Sequence, residues 1–265
     1  MTTTAADRVA APAIDGRTFA LFLVHAIVVV LNFVAAAQGW IAMTVAFVVG
    51  LAAFNLSFTI WHECVHNTVA RNRHISGLIG RITALLLVYP GYSTLKRDHL
   101  LHHKYQGSPD LDPVYPRVQC SPWMFPVHLV RTLAFGRQPD PPEGPLPASE
   151  RLKDVAGYVM WAAGAVIAAL AGWGPALLVA WVIPRLVILP IHSFYVCYLP
   201  HAPDGPRVYQ TYRVVLRTPL TRYLTLYHSF HGLHHLWPSV PWHRYRAVFV
   251  SRRQLLERHG VEIVE

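Results

Sequence analysis

The chain is 265 residues long and 53% apolar, with a positive mean hydropathy, which excludes an ordinary soluble enzyme and suits a single membrane domain. Its formal charge of +9 does not require nucleic acid, because in a membrane protein the placement of basic residues matters more than their sum. Cys64, Cys120 and Cys197 are odd in number and widely spaced, which excludes a disulfide framework or a CxxC zinc pattern and fits a reducing, cytosol-facing protein.

The polar tail Met1–Arg17 lacks a charged start, a short apolar core and a cleavage site, so it does not read as a signal peptide. From Thr18 to Gln38 an apolar run interrupted only by His25 and Asn32 is long enough to span a bilayer, and those two residues are expected to hydrogen-bond between helices. Gly39 and Trp40 turn the chain. A second span, Ile41–Trp61, leads directly into His62-Glu63-Cys64-Val65-His66, which puts two imidazoles at i and i+4 at or just beyond the membrane surface.

Gly77–Tyr92 is apolar but carries Arg81 and meets Pro90-Gly91 too soon to span, so it reads as a re-entrant or interfacial helix. It leads to a second box, His99-Leu100-Leu101-His102-His103. Loops follow at Gly107–Pro113 and Pro139–Pro147, and the apolar piece between them, Trp123–Phe135, is expected to lie on the membrane. A third span runs from Val155 to Trp173. Gly174-Pro175 separates it from a fourth, Ala176–Tyr198, which carries Arg185 beside Pro184 near its middle. That arginine reads either as a substrate-channel residue or as a helix-pairing one at a proline kink. The remainder, through Glu265, has no further span and holds a third box, His231-Gly232-Leu233-His234-His235. No internal repeat is present, so residues 1–265 read as one domain.

If both termini are cytosolic, the outer turns at Gly39-Trp40 and Gly174-Pro175 contain no lysine or arginine, and every basic residue but Arg185 falls on or near the inner side. That arrangement also puts all three boxes and His201 on one side. On a helix, residues at i, i+3 and i+4 share a face and can aim at a common point. Imidazole is the commonest metal ligand and suits iron, zinc, copper and nickel, and eight or nine such nitrogens are too many for one ion but enough for two. Glu63, Asp98, Asp110 and Asp112 lie beside or soon after the boxes and are candidates to orient imidazoles through their second ring nitrogen.

The set His62xxxHis66, His99xxHis102His103 and His231xxHis234His235, on the inner side of four spans, resembles the membrane fatty acid desaturase and hydroxylase superfamily. The resemblance implies an all-α integral membrane protein with a cytosolic, histidine-rich diiron cap and one or two interfacial helices. It also implies two iron ions as cofactor, O2 as co-substrate, and electrons from a ferredoxin, cytochrome b5 or flavin reductase. His201 matches by position the extra histidine that completes the family's set, making nine ligands. Tyr198-Leu199-Pro200-His201 and His234–Trp242 are most similar to the β-carotene hydroxylase and ketolase branch, which implies a carotenoid substrate. His228 and Arg185 depart from the family pattern.

Two other readings remain. An acyl-lipid desaturase or hydroxylase would use the same site on a lipid chain. A membrane zinc protease has literal support in His62-Glu63-Cys64-Val65-His66, an HExxH match with Glu63 as base, and in Ala202-Pro203-Asp204-Gly205 as a source of the third ligand. It would leave both HxxHH boxes without a purpose.

Overall fold

The computed structural model describes residues 13–89, 91–115, 120–135, 142–201, 212–216, 222 and 224–264, without the side chains of 132–135 and 197. The start of the polar tail, Pro90, Pro139–Pro141, the Cys197 side chain and Ala202–Gly205 therefore lie outside the described residues. The structure is mostly helical, and among the described residues four helices are long and apolar enough to cross a membrane. It divides into two compact units, one of Pro12–Arg97 with Leu146–Leu189, the other of Asp98–Pro145 with Pro190–Glu265.

The first unit holds α1 (Gly16–Ala37), α2 (Met43–Val65), α3 (Arg73–Leu86) and α6 (Ala148–Leu170), and also α7 (Gly174–Leu177) with most of α8 (Ile183–His192). At about 1.5 Å per residue, α1, α2 and α6 reach the roughly 30 Å of a hydrocarbon core. α1, α2 and the fourth span pack through small residues and a few polar ones. Ala36, Ala46, Ala176 and Ala180 form one cluster, and a Cβ at Gly50 would sit 2.7 Å from the Ala180 carbonyl oxygen and 2.8 Å from Pro184. His25 Nδ1–H donates to Ala53 O at 2.9 Å and Asn32 Nδ2 to Ala46 O at 2.9 Å, the interhelical role expected for both. The outward residues, Leu31, Val48, Ile167, Leu170 and Leu186 among them, are exposed and apolar, as lipid-facing residues should be.

Two spans differ from the sequence expectation. The third starts at Ala148, about two turns before Val155, because Glu150 and Asp154 find partners within the protein: Arg81 Nη2 donates to Glu150 at 2.6 Å, and Asp154 accepts from Ser93 and Thr94. The fourth is not a plain helix. It opens with α7, passes through a π-helical turn at Leu178–Val182, continues as α8 and ends in a second π turn, Ser193–Tyr198. Pro184 and Pro190 lack the N–H that regular helical bonding needs, and wider turns beside them absorb the mismatch.

α3, with 14 residues, is too short to cross. Its last carbonyls are taken up by the fourth span: Trp181 Nε1–H donates to Leu86 O at 2.7 Å and Arg185 Nε–H to Leu87 O at 3.1 Å. Arg185 thus has the helix-pairing role. These bonds hold the chain where Val88 takes a left-handed φ of +58°, a conformation costly for a β-branched residue.

The second unit contains most of α4 (Tyr92–Tyr105), α5 (Phe125–Phe135), α9 (His231–Leu236) and α10 (Tyr245–Arg258), with the parallel pair β1 (Arg213–Val215) and β2 (Glu262–Val264). Its core is of the soluble kind, built from Val214, Phe230, Leu233, Trp237, Tyr245, Phe249 and Leu256. α5 buries Phe125 and Leu129 and presents Val127 and Val130 outward, with Trp123 exposed just before it, the pattern of a helix lying on a bilayer.

Candidate metal centre

The second box lies on α4 and the third on α9, and the rise of one turn per 3.6 residues stacks the histidines of each on one face. The third box is pinned from behind: a Cβ at Gly232 would run into the Arg213 carbonyl oxygen of β1, so only glycine lets α9 approach the strand this closely. Leu226 and Tyr227 just before it have left-handed φ values of +46° and +62°. Backbone held in that region is costly and persists only where its surroundings over-determine it.

Two groups of imidazoles converge in this unit. In one, the nitrogens of His102, His201 and His235 lie within 4.8 Å of one another, with the Nε2 atoms of His102 and His201 3.0 Å apart. In the other, His103 Nε2 is 3.0 Å from His99 Nε2 and 3.1 Å from His234 Nε2. His231 packs against both His234 and His235, at ring-centroid distances of 5.1 and 4.7 Å. Two nitrogens each about 2.1 Å from one ion and at right angles are about 3.0 Å apart, so these spacings fit ligands of a shared metal.

The surroundings keep the donors ready. Burial, reinforced by neighbouring imidazoles, holds His103 and His235 well below the ordinary histidine range, which leaves them neutral with a lone pair to offer. Both ring nitrogens of His235 are buried without a hydrogen-bond partner among the described residues, a costly state that a metal ion would relieve. His102 Nδ1 donates to Asp112 at 2.8 Å, which directs its Nε2 lone pair toward His201. Asp112 is itself buried and fixed by the amides of Gly107 and Val114. For His234 to present Nε2, its Nδ1–H donates to the hydroxyl oxygen of buried Tyr245, 3.1 Å away.

Of the four carboxylates singled out from sequence, Asp112 is thus placed on a box histidine. Asp110 is exposed and Asp98 half-buried on α4. In the other unit, His62 occupies the last turn of α2 and His66 caps it, their rings 5.1 Å apart between centroids. The Glu63 carboxylate there accepts a 2.5 Å hydrogen bond from Thr68 Oγ1. Asn67, which follows, adopts a φ of +56° and ends the helix.

Tyr245 and Tyr212, the latter stacked on His235 at 4.8 Å, were not foreseen. Neither carries a local sequence signal, since each reaches its histidine only through tertiary folding. His228 is buried near His231 and Tyr245, and burial pushes its imidazole down to about 3.

Comparison with known proteins bears on this centre. The family model for fatty acid desaturases matches residues 38–265. A zeaxanthin 4-ketolase from Chlamydomonas reinhardtii is 28% identical over 193 residues, 70% of this chain and 39% of its own. An sn-1 oleoyl-lipid 12-desaturase from Anabaena variabilis is 32% identical over 87 residues, 31% of this chain and 24% of its own. Its counterpart from Arthrospira platensis is 29% identical over 103 residues, 36% of this chain and 28% of its own. The matched stretches thus span well under half the length of these curated relatives.

Proposed function

The chain belongs to the fatty acid desaturase family, and we propose that within it this protein is a diiron membrane oxygenase that hydroxylates or ketolates the ring of a β-carotene-type carotenoid. The observation that carries a metal-dependent oxidation is the convergence of buried and half-buried imidazoles at spacings suited to shared ions. We assign the irons to His62, His66, His99, His102, His103, His201, His231, His234 and His235. Two irons held there would supply the one-electron chemistry with O2 that breaking an unactivated C–H bond requires.

The chain's own residues do the positioning. Asp112 and Tyr245 hold the tautomers of His102 and His234, and the burial of the boxes keeps water from the reacting carbon. A long apolar substrate dissolved in the bilayer would reach the site from between the spans. Electrons would come from a ferredoxin, cytochrome b5 or flavin reductase on the cytosolic side.

The extent of likeness to the ketolase supports the carotenoid reading over the acyl one, because it covers twice as much of this chain as either desaturase match. The desaturase matches keep acyl-lipid desaturation as the second reading. The zinc protease reading gains no support, since the family match over residues 38–265 is to fatty acid desaturases.

The test is expression in a bacterial host that accumulates β-carotene, with pigments and membrane fatty acids analysed from one extract. Hydroxylated or ketolated carotenoid, absent in a His234→Ala control, is the expected result. Unchanged carotene with a new double bond or hydroxyl in the acyl chains would replace it with the second reading.

A further inference from the structure

The helix that carries the second histidine box has no cap of its own. Gly91 stands at the N-cap of α4, since its carbonyl accepts the first helical bond, from Leu95 N at 3.0 Å, yet it has no side chain to take the free amides that follow. Those amides are satisfied from another helix. Asp154 of α6, buried at 5% exposure, accepts from Ser93 N and Thr94 N at 2.9 Å each and from Thr94 Oγ1 at 2.8 Å. These are the second and third positions of the helix, the two that a local Asp or Ser cap would serve. Arg81 reinforces the arrangement, donating to Ser93 Oγ at 3.0 Å and to Glu150 at 2.6 Å, while Ser93 Oγ donates to Glu150 at 2.7 Å.

Gly91 is also where the space was given up. A Cβ there would lie 3.0 Å from Tyr158 Oη and 3.5 Å from Asp154 Oδ2. We infer that Asp154 is a positioning residue: it caps α4 from a membrane-spanning helix and so fixes the first turn of the helix that carries His99, His102 and His103. The inference rests on the assignment of those histidines as iron ligands. A buried carboxylate is costly unless it has such partners, which gives a reason for Asp154 and the α4 amides to be found together.

The test uses the full chain, purified from iron-replete cells. Asp154→Ala and the near-isosteric Asp154→Asn are each made alone and combined with Gly91→Asp, which supplies the cap locally once Asp154 is gone. Bound iron, turnover and amide exchange of the peptide containing Ser93 and Thr94 are measured. The single variants should lose protection in that peptide and about tenfold in iron retention or turnover, the usual effect of losing a group that orients metal ligands. Gly91→Asp should restore protection and iron together, which a carboxylate acting by bulk or charge at its own position would not allow. Wild-type exchange and iron in both single variants overturns the inference. If the unaltered chain binds no iron, the metal assignment falls instead, and the exchange measurement still decides whether Asp154 caps the helix.

Discussion

A neutral imidazole offers a metal only one lone pair, and which nitrogen offers it depends on what holds the other. For His102 the holder is the Asp112 carboxylate, and for His234 it is the Tyr245 hydroxyl. Tyr245→Phe removes an oxygen without opening a cavity, so iron affinity or turnover should fall about 10- to 100-fold while the chain still folds, as iron titration of the purified variant would read. Asp112→Asn keeps an acceptor but loses its charge, and the imidazole becomes a weaker donor; the same titration should give a smaller loss than Asp112→Ala. The two partners differ in how far sequence revealed them. Asp112 stands within a turn-rich loop soon after the second box, so a carboxylate near histidines was a visible candidate. Tyr245 reaches His234 from a separate helix, a contact made by the reversal through Trp242–Arg244 and not by spacing along the chain. The box histidines themselves were legible because helical periodicity is local.

Each box helix is fixed by something other than its own sequence preference. α9 has only six residues, too few to be stable alone, and is held by packing of Leu233 in the core and by the closeness of Gly232 to β1. Gly232→Ala should therefore destabilise the chain by about 1–3 kcal/mol, the cost of forcing a methyl group into a packed contact, and should lower bound iron with it. Thermal unfolding of the detergent-solubilised variant would read the first and metal analysis the second; an unchanged midpoint would mean that β1 yields. Hydropathy revealed the spans because lipid selects for length and apolarity, and α1 and α2 fall close to their expected bounds. It could not show the π turns of the fourth span, since hydropathy carries no information on which carbonyl an amide meets. Nor could it place the start of α6, where Glu150 and Asp154 look like loop residues until Arg81, Ser93 and Thr94 are brought to them.

The exposed apolar faces of the four spans and of α5 describe a protein whose outside is set by lipid, and charge then gives it a direction. The short turns after α1 and α6 contain none of the 23 lysines and arginines. Each basic residue near an anionic leaflet contributes about 1 kcal/mol, so the sum strongly favours one orientation over its inverse. We therefore expect Trp40→Cys and Trp173→Cys to react in intact bacterial cells with a thiol reagent that cannot cross the inner membrane. Ser251→Cys on α10 should react only after lysis. The unaltered chain supplies the background from its three cysteines, Cys64, which is buried, Cys120, which is half-buried, and Cys197. Labelling of Ser251→Cys in intact cells would turn the protein over and place the third box on the outer side, beyond reach of a cytosolic electron donor. The topology experiment thus also tests the redox assignment, because a diiron centre fed by a soluble cytosolic reductase has to face the compartment where that reductase is found.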